Sequence, residues 1–206
     1  MTHDDQRFPL TRGQLDIWLA QETGRFGTEW QLGLFVKIDG PVQRGPLEWA
    51  IRRVVKETEP IRAAFAEQDG TVVQQVVDHP TAQLAFHDVS AAADPDGEAF
   101  AIASQIQRTP MPWAGPLFSF ALFKTGPAAY YWFSCCHHII ADGFGVALVG
   151  HRIAAVYSAV VSGSPIPPPF FDSLRDLIAV EADYEASPDY RDDEAFWAEH
   201  MPDDPG

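Results

Sequence analysis

Cysteine and positive charge are scarce in this chain. The 206 residues include two cysteines, and these are neighbours, Cys135 and Cys136. Two cysteines cannot build a disulfide framework, and adjacent ones in a strand point to opposite faces. They read as small buried hydrophobes of a reduced, cytoplasmic protein, and a nucleophilic pairing of Cys136 with His137 is disfavoured by the same alternation. Lysine and arginine total 14 against 29 aspartates and glutamates, a net charge of −15. That balance repels the phosphates of nucleic acid and of anionic membranes, so neither is expected as a partner. No apolar run reaches membrane-spanning length, and the polar start from Met1 to Arg7 is not followed by a signal-peptide core. Glycine-rich phosphate loops, internal repeats and low-complexity tracts are also lacking, so no directly bound cofactor is expected.

What is present is a globular composition, 46% hydrophobic, long enough for one sizeable core. Thr11, with Gln14 in capping-box position, starts a helix to Thr23 whose Leu15, Trp18 and Leu19 share one face. Trp30 to Ile38 reads as a strand, and Pro46 opens a helix to about Thr58 with Leu47, Ala50, Ile51, Val54 and Val55 inward. Ile61 to Glu67 and Thr71 to Val77 form a hairpin turned by Asp69-Gly70. A short edge strand, Leu84 to Val89, and a helix after Asp94 follow. Strands Leu117 to Phe123 and Ala129 to Cys136 come next, then a helix from Phe144 to Ser162. A proline-rich stretch, Ser162 to Pro169, leads to two acidic helices near Ser173–Tyr184 and Asp189–Glu199. Interleaved strands and helices make the chain α/β. Because some strands follow one another without a helix between, the sheet should be mixed. The basic spot Arg52, Arg53 and Lys56 reads as a solvated helix face.

The chemistry concentrates in His137-His138-Ile139-Ile140-Ala141-Asp142-Gly143, set between an aromatic strand and an amphipathic helix. An imidazole there can exchange protons near neutral pH, and an aspartate can hold the loop by pairing with a cation or with backbone N–H groups. Arg62 stands in an otherwise apolar stretch, where a buried guanidinium needs a partner. Adjacent strand histidines do not converge on one ion and no other ligand cluster has suitable spacing, so no metal site is expected.

These residues resemble the HHxxxDG signature of nonribosomal peptide synthetase condensation domains. The segment from Pro9-Leu10-Thr11 through Gln14 to Trp18-Leu19-Ala20, the segment Pro60-Ile61-Arg62-Ala63-Ala64-Phe65, and Ser187-Pro188-Asp189-Tyr190 to Phe196-Trp197 are similar to further parts of that family. The stretch Gly115-Pro116-Leu117 matches too, although Ser119 stands where the family often has arginine. The resemblance covers only the family's first half. It implies one lobe of the two-lobe chloramphenicol acetyltransferase-like fold, with a mixed β-sheet packed by helices. Residues 1–163 would form the N-terminal lobe, and 164–206 a linker and acidic helices leading towards an absent second lobe. Excision of this lobe from a longer protein is the expected origin of the chain.

The implied reaction is amide formation. A carrier-bound aminoacyl amine attacks a carrier-bound acyl or peptidyl thioester, so the implied partners are donor and acceptor carrier proteins with phosphopantetheine arms. The resemblance assigns the catalytic imidazole to His138, as proton acceptor or as orienting group for the amine, two roles that stay open. His137 is then structural, behind the loop. Asp142 is structural and implied to pair with Arg62, and Gly143 supplies room or a positive φ and an N–H for the oxyanion. Features after the motif resemble modules that accept aryl or fatty acyl starters, including siderophore synthetases. The lobe alone is expected to fold without turning over. Rival readings are an epimerisation-type or coenzyme A-dependent acyltransferase relative, or a non-catalytic docking module for carrier proteins.

Overall fold

The computed structural model describes residues 7–24, 27–77 and 82–201, so the polar first six residues and the tail after Met201 lie outside the described part. The chain runs β1 (Arg7–Pro9), α1 (Arg12–Thr23), β2 (Gln31–Asp39), α2 (Arg44–Glu57), β3 (Ala63–Gln68), β4 (Thr71–Val76), β5 (Leu84–Asp88), α3 (Pro95–Gln107), β6 (Phe118–Gly126), β7 (Ala129–His137), α4 (Gly143–Ser162), α5 (Leu174–Glu185) and α6 (Pro188–His200).

The main sheet has the order β2-β7-β6-β5, antiparallel except for the β5–β6 pair. That parallel pair is joined by α3, whereas β6 and β7 meet through a short turn, so the mixed character follows from the chain order. Helices α2 and α4 cover one face with a core that includes Ile51, Val54, Phe118, Phe120, Trp132, Cys136, Val149 and Ile153. Helix α3 covers the other with Ala99, Ala103, Ala121, Phe123, Phe133 and Cys135. The two cysteines thus fall in different cores on opposite faces, as strand alternation requires. Gly33 on β2 permits the close approach of α3, since a Cβ there would stand 2.7 Å from Gln107 Oε1. A second sheet, β1-β4-β3, carries the hairpin whose turn residues Asp69 and Gly70 take φ of 51° and 78°. This is the left-handed pair that a two-residue turn needs.

Three expectations change. Ile61 and Arg62 do not lie in the strand; with Pro60 they form a 3-10 turn, and β3 begins at Ala63. Proline fixes the first turn position and its missing N–H could not have served a ladder. Helix α1 has its capping box, but Leu15 and Leu19 are exposed and only Trp18 of the three is buried. At about 100° per residue the inward face is centred on Gln14, Trp18 and Gln21, so two amides occupy positions that an apolar stripe would take. Finally, α4 is long and apolar enough by composition to cross a membrane, although one third of it is buried inside this fold. Its inward stripe packs on α2 and the sheet.

That stripe carries one charge. Arg152 is 1% exposed, between Val149 and Val156. Its Nε donates to Glu57 Oε2 at 2.9 Å and its Nη1 to the Pro167 carbonyl at 2.8 Å. Nη2 stands 2.9 Å from the same carboxylate oxygen, an ion-pair contact rather than an aligned hydrogen bond. Arg53 bonds the other oxygen of Glu57 at 2.7 Å, and Arg52 pairs with Glu48, so the basic spot on α2 is partly neutralised by its own helix. The Leu174 N–H donates to Glu59 at 3.0 Å and its side chain is fully buried, which seats the start of α5 on the same core. Breaking a buried pair leaves an uncompensated charge, so Arg152→Ala is expected to lower the unfolding free energy by about 3–5 kcal/mol. Urea titration of the variant against the parent chain measures it.

Candidate active site

Strand β7 ends on His137, which is buried completely. Its backbone N–H donates to the Leu117 carbonyl at 2.9 Å. Its ring Nδ1 accepts from the Ile139 N–H at 3.2 Å, and Nε2 lies 3.3 Å from Gln21 Oε1. Because Nδ1 is an acceptor, Nε2 carries the proton and donates to Gln21. The ring also packs on Trp113 in a T-shaped arrangement, ring centroids 4.9 Å apart. Burial, helped by the neighbouring His138, pushes His137 down to about 4. It is a neutral imidazole throughout the physiological range.

The chain then turns. Ile139 and Ile140 bury their side chains in the main core, and the Ile140 N–H bonds back to the His137 carbonyl at 3.1 Å. His138, held between them, is half-buried. Its backbone N–H donates to the Trp30 carbonyl at 2.6 Å, and its ring stands edge-on to Trp30 at 6.0 Å. Among the described residues its ring nitrogens have no hydrogen-bond partner.

Asp142 and Arg62 are not paired. Asp142 caps α4 instead: its Oδ1 accepts from the Gly145 N–H at 2.7 Å and its carbonyl from the Val146 N–H at 2.9 Å. An aspartate one residue ahead of a helix finds unsatisfied N–H groups within its own turn, which a distant guanidinium must compete with. Arg62 donates from Nη1 to the Val77 carbonyl at 3.1 Å, while its buried Nε has no partner. Gly143 is the first residue of α4 and its φ is not positive. A Cβ there would meet nothing within 4 Å, so this chain leaves the space beside it open. Its N–H belongs to the unpaired first turn of a 20-residue helix, where the positive end of the helix dipole favours developing negative charge.

Four residues that sequence reasoning did not assign to the site, although Gln14 was noted as a helix cap, complete the surroundings. Gln14 donates from Nε2 to the Ile139 carbonyl at 3.1 Å, and the fully buried Gln74 donates to Gln14 Oε1 at 2.6 Å. Gln21 and Trp113 flank His137 as described. The available signal was the placement of Gln14 and Gln21 seven positions apart on α1, two turns of one helix face. Among the described residues, no three histidine, cysteine or acidic side chains converge as a metal would require.

Residues 4–203 match the condensation domain family. The chain is 33% identical over 202 residues to a dimodular nonribosomal peptide synthase of Bacillus subtilis (strain 168), covering 98% of this chain and 8% of that protein. It is 29% identical over 197 residues to enterobactin synthase component F of Escherichia coli (strain K12), covering 94% of this chain and 15% of that protein. Among solved structures it is similar to a variant of the starter condensation domain of rhizomide synthetase in complex with C8-CoA. There the TM-score is 0.90 and the identity 32%, over 95% of this chain and 45% of that one. It is also similar to the first condensation domain of the calcium-dependent antibiotic synthetase in complex with a substrate analogue. That match has a TM-score of 0.86 and 32% identity, over 94% of this chain and 47% of that one. The chain therefore spans about half the length of these solved relatives.

Two tests follow from the geometry. His137 takes up its proton in the unfolded chain at about 6.5 but in the folded one at about 4, so the unfolded state binds more protons between those values. Its contribution to stability is present above 6.5 and is lost as the pH falls towards 4. Denaturant titrations across that window should show a shallower pH dependence for His137→Gln than for the parent. The second test concerns the thiols. Burial pushes Cys135 and Cys136 up to about 12, and neither faces a cation that would stabilise a thiolate. A disulfide reagent such as Ellman's should leave both unlabelled in the folded chain and titrate both after unfolding.

Proposed function

The chain belongs to the condensation domain family, with the lobe architecture of the chloramphenicol acetyltransferase-like fold, and we propose that it is the N-terminal half of an amide-forming condensation domain of a nonribosomal peptide synthetase. The observation that carries this reading is the placement of His138, whose ring nitrogens, without a hydrogen-bond partner among the described residues, sit at the strand-to-helix junction beside the open first turn of α4.

In the reaction, the amine of a carrier-bound aminoacyl group attacks the carbonyl carbon of an acyl or peptidyl thioester. The C–N bond forms, the nitrogen loses a proton, the oxyanion collapses, and the C–S bond breaks to release the donor thiol. An α-amino group has a pKa of about 8, so a useful fraction is already neutral at cytoplasmic pH. The demanding species is the tetrahedral zwitterion. His138 accepts its proton or holds the amine in line, and the N–H of Gly143 donates to its oxyanion. Asp142 acts by capping α4 and so fixing where Gly143 presents that N–H. His137 and Arg62 are structural supports, His137 behind the loop and Arg62 through Val77.

The partners on this reading are donor and acceptor peptidyl carrier proteins and a second lobe, and the setting is cytoplasmic biosynthesis of a secondary metabolite. No resident cofactor is invoked, because the substrates arrive on phosphopantetheine arms. The relative in complex with C8-CoA supports an acyl thioester as donor, since coenzyme A and a carrier's arm present the same thioester end. Likeness to starter condensation domains, one of them in complex with C8-CoA, supports a fatty acyl starter; an aryl starter and siderophore synthesis rest on the sequence resemblance alone. We divide the chain at residues 163 and 164, with 1–163 as the lobe and 164–206 as the linker and acidic helices that lead towards the second half.

The test is amide formation by the complete two-lobe domain with loaded donor and acceptor carriers, read by intact mass. His138→Ala should lower the rate by about 10²–10⁴-fold. An active His138→Ala domain, or a parent domain that gives no amide although both carriers are loaded and bound, overturns the reading.

A further inference from the structure

We propose that Gln21 is a positioning residue for His138, acting through His137: it fixes the tautomer of the buried imidazole, and that imidazole holds the backbone of the next two residues. The inference rests on the functional reading above for the role of His138. It stands by itself for the state of His137.

Helix α1 turns one face to the motif, and that face is polar where it meets the loop. Gln14 and Gln21 lie two turns apart on it, with Trp18 between them stacked at 4.3 Å on Trp113, which packs on His137. Neither amide can flip freely. Gln21 Nε2 donates to the Gly27 carbonyl at 3.0 Å, so its Oε1 is the end that faces His137. Gln14 Oε1 accepts from the Thr11 N–H at 3.0 Å and from Gln74, so its Nε2 is the end that reaches Ile139. Opposite Gln21, the imidazole can only donate; towards the Ile139 N–H it can only accept. The two contacts select the same tautomer from both ends of the ring.

His138 gains a defined position from this arrangement without being touched on its ring. Its own N–H is tied to Trp30, and the following residue has its N–H tied to His137 and its carbonyl to Gln14. A proton added at His137 Nδ1 would set an N–H against the Ile139 N–H and break the second of these ties. Little in the surroundings invites that proton. Helix α1 offers an amide, β2 the amide-bearing Gln31 across the ladder, and the loop between α3 and β6 the indole of Trp113. Strand β7 offers the Cys136 thiol, which burial holds protonated, and the titratable group whose field His137 feels is His138, which opposes a second positive charge.

The test is Gln21→Glu in the complete two-lobe domain. A carboxylate next to the Nε2–H favours the imidazolium and should raise His137 by about 1–3 pKa units from its present value near 4. The turnover number of the variant relative to the parent should then fall between about pH 8.5 and pH 6, by about tenfold where the shift reaches about three units, with KM for the loaded carriers little changed. Gln21→Leu, which removes the acceptor and adds no charge, should lose activity by one factor across the same range. Imidazole ¹⁵N spectra should show His137 as the Nε2–H form in the parent and a new titration in Gln21→Glu. A pH-independent loss in Gln21→Glu, or an Nδ1–H form in the parent, overturns the proposal. Should the parent make no amide with both carriers loaded, the reading of the reaction fails instead, and the spectra still decide the tautomer. Thermal midpoints at high pH identify a variant that has simply lost its fold, in which case Gln21→Leu and the parent spectrum carry the test.

Discussion

The uncharged state of one buried imidazole holds this site together. His137 ends the central strand, and four contacts leave it: its N–H to Leu117, Nδ1 from Ile139, Nε2–H to Gln21, and the ring against Trp113. They tie β7, α1, the loop before β6 and the motif loop into one junction. The Nδ1 contact needs the ring neutral, and the two ring contacts together need one tautomer. Complete burial supplies that condition, because the cost of desolvating a cation far exceeds what amide and backbone partners return. The second histidine is half-buried, and among the described residues its ring nitrogens make no hydrogen bond, while its N–H is held by the Trp30 carbonyl.

The same preference for neutral partners recurs where layers meet. Gln31 joins β2 to the end of α3: its Nε2 donates to the carbonyls of Gln107 and Thr109, its Oε1 accepts from the Met111 N–H, and Gln107 returns a bond to the Gln31 carbonyl. Gln74, fully buried, links β4 to β1 and α1. In a chain of net charge −15, carboxylates at these junctions would repel one another and would lose their contacts on protonation, whereas amides do neither. The buried ion pair Arg152–Glu57 is the counter-case. It works because the charge is compensated: Glu57, shared with Arg53, pairs with the guanidinium, whose Nε and Nη1 are hydrogen-bonded to Glu57 and to the Pro167 carbonyl.

Much of this was legible in the residues, and the failures have a common cause. Alternation in Tyr130 to Cys136 placed the cysteines on opposite faces, Asp69-Gly70 marked the hairpin, and the mixed sheet followed from the order of elements. The paired histidines fall at the junction of a strand and a helix, and the strand alternation told them apart, one buried and the other half-buried. What misled was the assumption that inward means apolar. On α1 it selected Leu15 and Leu19, while the helix turns glutamines inward. On α4 it passed over Arg152, although that residue lies on the stripe of Val149, Ile153 and Val156. Asp142 was read as structural, but the family pairing with Arg62 drew attention from the nearer claim of helix α4, announced by an aspartate directly before a helical run. Bonds such as Gln21–His137, between residues 116 positions apart, leave no local trace.

The site's exposure bears on how it can work. Stabilising an oxyanion or a shuttled proton is effective where water is excluded and the donors are already oriented. This half of the fold meets the second condition: the loop is pinned at Trp30, Ile139 and Asp142, and α4 is capped so that its first N–H groups point one way. It does not meet the first, since Asp142, Gly143 and Phe144 are exposed and His138 is covered only in part. The apolar residues Leu177, Val180, Phe196 and Trp197 on α5 and α6 are exposed as well. The residues that this chain supplies on the proposed reading are held in place by backbone bonds but stand exposed to solvent. On the proposed reading the remaining half would contribute enclosure, while the alignment of His138 and Gly143 would be inherited intact from this chain.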